Sequence, residues 1–131
     1  MNRTQQDYLF RSFPELFDDA NDAPIKQWGI EVQDGWYAII AQMCSDFDDL
    51  RRTRQSALPK IRQIKSKYGQ LTVYLSATDE AVDTIIGAAI ENAKHTCEIC
   101  GAPGTLRRTK NRWYFVACRQ HAEGAEPVNK S

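Results

Sequence analysis

The chain has 131 residues, 42% of them apolar, with 17 Lys/Arg balanced by 17 Asp/Glu. That length suits one domain with a core of its own, and the lack of an 18-residue apolar run excludes a membrane-spanning helix. The zero net charge conceals a division: residues 1–50 carry ten acids against Arg3, Arg11 and Lys26, while residues 51–131 carry fourteen bases against seven acids. Two such halves present opposite potentials unless they neutralise each other.

The opening MNRTQQDYLF lacks the basic-then-apolar pattern of a secretory signal. Four cysteines in such a chain point to a reducing, cytoplasmic setting, where paired thiols hold metal and not disulfides. Thr4, with Asp7 three residues on, reads as the cap of a short first helix carrying Tyr8, Leu9, Phe13, Leu16 and Phe17 and interrupted by Pro14. Residues 17–24 (FDDANDAP) read as a polar loop. Trp28, Ile30 and Val32 alternate with polar residues and predict a short strand.

From Asp34-Gly35 the residues Trp36, Ile39, Ile40, Met43, Phe47 and Leu50 form one apolar stripe, the mark of an amphipathic helix. Asp46, Asp48 and Asp49 fall at its solvated margin, and Cys44 reads as a small buried hydrophobe. After a break before Pro59, residues 61–67 and 71–76 predict a β-hairpin turning at Tyr68-Gly69-Gln70. Thr78, followed by Asp79 and Glu80, marks the start of a second main helix. Val82, Ile85, Ile86, Ala89, Ile90 and Ala93 give it an apolar face, and Lys94-His95 suit its negative end. Residues 104–108 and 112–117 predict two short strands around a polar turn at Thr109–Asn111. The expected organisation is a single domain over 1–122, with a zinc-ribbon subregion at 96–122 and a flexible tail at 123–131.

Cys97-Glu-Ile-Cys100-Gly and Cys118-Arg-Gln-His121 place three thiols and one imidazole in two pairs of x₂ spacing. A tight turn aims both donors of such a pair at one point, and the seventeen residues between the pairs suffice for a hairpin that unites them. Four donors close a tetrahedral sphere, so Cys97, Cys100, Cys118 and His121 are expected to hold a structural zinc. Rival metal chemistries lack their parts. No H-x-E or C-x-E element precedes a P-C-x-x-C, as a nucleic-acid deaminase needs. No His or Asp lies within residues 101–120 for an HNH-type nuclease, and a redox C-x-x-C would open a helix, not follow one. His95 and His121 are the only histidines, which leaves few general bases and points away from an enzyme.

Two stretches are basic and free of acids: residues 51–67, and residues 99–122 with Arg107, Arg108, Lys110, Arg112 and Arg119 around Trp113 and Tyr114. Cations interleaved with aromatics are the composition of a nucleic-acid surface.

At Gly35-Trp36-Tyr37, at residues 64–74 (IKSKYGQLTVY) and at Cys97-Glu-Ile-Cys-Gly-Ala-Pro-Gly with Trp113 and Cys118-x-x-His121, the chain resembles a family of small uncharacterised bacterial and phage proteins. That family has a G-W helix start, a K-x-K-[FY]-G hairpin and a closing CxxC…CxxH ribbon. The chain departs from its pattern at Ser66, Gln70, Thr72 and Val73. The resemblance implies zinc at Cys97, Cys100, Cys118 and His121 and a phage or mobile-element setting; it supplies no activity.

The expected fold is α+β: two main helices, a central β-hairpin and a C-terminal zinc-ribbon-like hairpin. The expected function is a non-enzymatic interaction module that binds a host protein–nucleic acid machine, in the manner of an anti-CRISPR inhibitor. Asp18, Asp19, Asp22, Asp46, Asp48 and Asp49 would then mimic nucleic-acid phosphate toward a basic partner. The alternative is a zinc-ribbon nucleic-acid binder acting through Arg107, Arg108, Lys110, Arg112 and Trp113.

Overall fold

Helix α1 (Arg3–Ser12) is capped by Asn2, whose side chain accepts the Gln5 amide at 2.9 Å. Thr4, the expected cap, already lies inside the helix. A computed structural model of the chain describes residues 1–128. Pro24 occupies the first turn of a short helix α2 (Pro24–Trp28), where its fixed φ and missing N–H cost nothing. The strand expected from Trp28 is therefore displaced: Trp28 ends a helix and stands 70% exposed. Its period of two survives just beyond. Ile30 and Val32 point into the core, while Glu31 exchanges backbone hydrogen bonds with Ile64 and Ser66 at 2.9 and 3.3 Å.

A 3-10 turn (Asp34–Trp36) leads into α3 (Tyr37–Thr53). Strands β1 (Ile61–Lys67) and β2 (Gln70–Leu75) form an antiparallel hairpin. Tyr68 and Gly69, with φ of 53° and 76°, turn it in the doubly left-handed way that matches strand twist. Helix α4 (Glu80–Ala93) starts at Asp79, not Thr78, with the Asp79 carboxylate accepting the Val82 amide at 3.1 Å. Strands β3 (Thr105–Arg108) and β4 (Tyr114–Ala117) make the C-terminal hairpin.

The apolar stripes meet in one core. Ile40, Met43 and Phe47 of α3 and Val82, Ile86 and Ala89 of α4 join Ile61, Ile64 and Leu71 of the first hairpin. Leu9, Leu16, Ile25, Ile30 and Val32 belong to the same core. Each large side chain buried here stabilises the fold by about 1.5–3 kcal/mol. The architecture is α+β with two small antiparallel sheets, one of β1 and β2, the other ordered β4-β3 with a closing strand β5 (Glu126–Pro127) beyond β3. Among the described residues, no helix is long and apolar enough to cross a membrane.

Strand β5 (Glu126–Pro127) corrects the expected tail. It pairs with Arg107 and Arg108 of β3, Ala125 is buried, and the Val128 amide donates to the Leu106 carbonyl at 2.9 Å. The folded unit thus runs past residue 122; the tail expectation for 129–131 lies outside the described residues.

Candidate metal centre and the surface it supports

Past α4 the chain turns sharply, with the Cys97 amide donating to the Ala102 carbonyl at 2.7 Å and the Gly101 amide to the Cys97 carbonyl at 3.0 Å. Gly101 has φ of 81°, a conformation that favours glycine. The second pair sits at a 3-10 turn (Arg119–His121) flanked by Cys118, where the His121 amide donates to the Cys118 carbonyl at 3.2 Å.

The four donor atoms gather within 4.8 Å of one another. Cys100 and Cys118 sulfurs are 3.7 Å apart, and His121 Nδ1 lies 3.3 Å from the Cys118 sulfur and 3.8 Å from that of Cys97. A tetrahedron with Zn–S bonds of about 2.3 Å and a Zn–N bond of about 2.0 Å has edges of roughly 3.5–3.8 Å. The cluster can hold a metal ion, and its three sulfurs and one imidazole suit zinc.

Electrostatics divide the donors: Cys97 and Cys118 are drawn toward the thiolate that binds metal, whereas Cys100, despite the Ala102 amide, is raised by burial and by the Cys118 and Cys97 sulfurs. Burial opposes ionisation of Cys97, yet the amides of Cys100, Cys118 and Ile99 outweigh it and bring the thiol to about 6. Burial likewise opposes ionisation of Cys118, and its bond to His121 pulls it down overall. His121 is raised in turn by its hydrogen bond to the Cys118 sulfur, so a metal would have to displace a proton from this ring. Cys44 stands apart inside α3, fully buried, its thiol pushed up to about 12 by burial. His95 is exposed, with Nε2 3.6 Å from Glu91, and stands outside the cluster.

The start of α3 braces this knuckle. The Gly35 amide donates to the Glu98 carbonyl at 2.8 Å, and the buried Trp36 donates its indole N–H to the Thr96 carbonyl at 2.8 Å. In addition, the Glu98 carboxylate accepts the Val116 amide at 2.6 Å. Glu98 is only 3% exposed, and burial pushes its carboxyl upward.

The basic residues of the ribbon divide by face. Arg107 is buried: its Nε donates to the Ala117 carbonyl at 3.0 Å and its guanidinium reaches the Ala125 carbonyl at 3.3 Å. It ties β3 to β4 and the closing segment, so it is not at the surface expected for it. Arg108, Lys110, Arg112 and Trp113 are exposed at the hairpin tip. There the Thr109 hydroxyl accepts the Trp113 amide at 3.0 Å, and Arg112 adopts φ of 62°.

Three of the six acidic residues expected to mimic phosphate, Asp18, Asp22 and Asp48, are answered by arginines. Asp18 meets Arg62 at 2.7 Å, and Asp22 approaches the same guanidinium at 3.5 Å. The Ala20 amide and Arg62 hold the Asp18 carboxyl below the usual range. Asp48 is 8% exposed and bonds Arg51 and Arg52 at 2.8 and 2.9 Å, where a solvated position was expected. Asp46 accepts from Gln42 at 2.9 Å; Asp19 and Asp49 remain exposed. The charge division of the sequence is thus partly closed by ion pairs within the molecule.

A cleft of about 520 Å³ opens between the two hairpins and the 31–33 segment. Tyr68, Trp113, Tyr114 and Phe115 give it aromatic walls, Lys67 and Arg112 stand at its sides, and Glu98 also lines it. The sequence marks neither Tyr68 nor Glu98 as a site residue: the turn at Tyr68-Gly69 is a local signal, but its approach to the ribbon is non-local. Gly69 permits that approach, since a Cβ there would lie 2.5 Å from Leu106 Cδ1. Comparison with protein-family models, curated proteins and solved structures gives no match.

Proposed function

We propose that the chain is a non-enzymatic interaction module, stapled by a structural zinc at Cys97, Cys100, Cys118 and His121, that contacts nucleic acid through the joined hairpin tips. One observation carries this reading. Tyr68 and Trp113 are 74% and 71% exposed, although large aromatics favour burial. Around them lie Lys67, Arg108, Lys110 and Arg112, none engaged in an ion pair among the described residues. Exposed aromatics among free cations suit stacking on bases and neutralising phosphates.

A second reading keeps the partner a protein: an inhibitor of a host defence nucleoprotein, anti-CRISPR-like, in a phage or mobile-element and cytoplasmic setting. The exposure of Asp19 and Asp49 favours it. The ion pairs of Asp18 and Asp48 weaken it, because paired carboxylates offer less charge to a basic partner.

Titration of the zinc-loaded chain with labelled nucleic acid at rising salt separates the two. Affinity that falls steeply with salt supports direct contact. Absence of binding at low salt overturns it and leaves the protein partner.

A further inference from the structure

We propose that the cleft beside Trp113 receives one unpaired base of a single-stranded nucleic acid, while the adjoining hollow holds the flanking phosphate; this rests on the nucleic-acid reading above.

The hollow, of about 250 Å³, is lined by Arg108, Thr109, Lys110, Arg112 and Glu126. Three cations against one carboxylate make it an anion site by charge. Arg112 lines both the hollow and the aromatic cleft, so the two cavities adjoin at one side chain. A nucleotide has this same division, a flat base with stacking faces and polar edges joined through its sugar to a phosphate.

The cleft, about 520 Å³, falls in the range of small-ligand sites, about 300–1,000 Å³, and its walls combine the rings of Tyr68, Trp113, Tyr114 and Phe115 with polar groups that include Glu31 and Glu98. In a duplex each base is already stacked on its neighbours, so entry would require the base to be flipped out at the cost of unstacking. A single strand offers its bases without that cost. The tight tip turn fixes the partners: the Arg112 amide donates to the Thr109 carbonyl at 2.9 Å, which keeps Arg112 beside Trp113 at the tip. None of the four metal ligands lines either cavity, so zinc acts here only by holding the ribbon.

The test is anisotropy of short labelled oligonucleotides against the zinc-loaded full chain at low salt. The arms are a mixed-sequence DNA strand, the matching RNA strand, the same strand made abasic, and the duplex. Either single strand is expected to bind at least about tenfold tighter than the duplex or the abasic strand; the DNA and RNA arms show which sugar is accepted. Trp113→Ala is expected to lose about 5- to 140-fold in affinity, the range for one stacked base. Trp113→Phe restores much of it, and Trp28→Ala, an equally exposed tryptophan elsewhere, changes nothing. Arg108→Ala and Lys110→Ala reduce the salt slope by about one each. Equal zinc content in the variants shows that the ribbon is intact. Equal affinity for single strand, abasic strand and duplex overturns the base site while the nucleic-acid reading stands; no binding by any arm overturns both.

Discussion

Gly35 and Glu98, 63 positions apart by their numbering, are joined by a backbone hydrogen bond of 2.8 Å, so the turn that opens α3 rests on the metal knuckle itself. The contact is close enough to exclude any side chain at position 35. A Cβ would lie 2.2 Å from the Cys97 carbonyl oxygen and 2.5 Å from the Glu98 carbonyl carbon. The core helix and the ribbon are therefore one mechanical unit.

Gly35→Ala is expected to destabilise the protein by about 2 kcal/mol or more, since both obstructing atoms are backbone. Gly87 provides the contrast. It lies exposed within α4, and a Cβ added there would meet nothing within 4 Å, so Gly87→Ala should stabilise by about 0.5–1 kcal/mol. Urea titration of both variants gives the two signs.

The metal centre should carry one zinc per chain. Cys97→Ser and Cys118→Ser are expected to lose it, whereas Cys44→Ser, remote from the cluster, retains it. Stoichiometric zinc in either ligand variant refutes the assigned donor set. Because the cysteines bind as thiolates and His121 as a neutral ring, loading should release protons and weaken as pH falls.

Arg107 and Arg108 are adjacent cations with opposite duties, as neighbours on a strand face opposite ways. Arg107→Met leaves the Ala117 and Ala125 carbonyls without their donor and should cost about 1–3 kcal/mol. Arg108→Met should change stability by less than about 0.5 kcal/mol. Thermal melts of the two variants make the comparison.

Asp79 links α4 to the end of α3 through Arg54 at 2.6 Å. The Arg54 hydrogen bond, with the Val82 amide, holds its carboxyl below the usual range. A folded-state pKa lowered in this way contributes stability above the unfolded value, about 3.9, and loses it as pH falls through the folded one. Asp79→Asn keeps the cap but should show a shallower loss of stability below about pH 4 than the parent chain. Chemical denaturation across acid pH reads this slope; identical slopes would remove Asp79 from the account.

Much of the molecule is legible in the sequence because its signals are local. The stripes of α3 and α4 repeat at helical spacing, Tyr68-Gly69 marks a turn, and each metal pair is set by its own x₂ spacing. Most of what the sequence hides depends on contacts distant along the chain. Asn2 and Thr4 are both acceptable caps, and Asn2 is also held by the hydrogen bond its backbone amide donates to the Asp34 carboxylate at 2.6 Å. Pro24 is one exception, a local helix opener whose signal outweighs the alternation beginning at Trp28. Arg107 looks like its neighbour by composition, and only the pairing of β3 with β4 and β5 tells which cation faces in. Asp18 and Asp48 owe their neutralisation to arginines brought near by the fold or the helix turn. Burial of Glu98 between the start of α3 and β4 follows from the same assembly.

Strand β5 has a consequence for self-association. Without it, β3 would show an open row of donors and acceptors to any extended chain, the usual seed of edge-to-edge aggregation. Glu126 and Pro127 occupy that edge, and proline, having no N–H, cannot extend the ladder outward. The short strand thus shields one edge of the ribbon sheet, and β4 stands at the other.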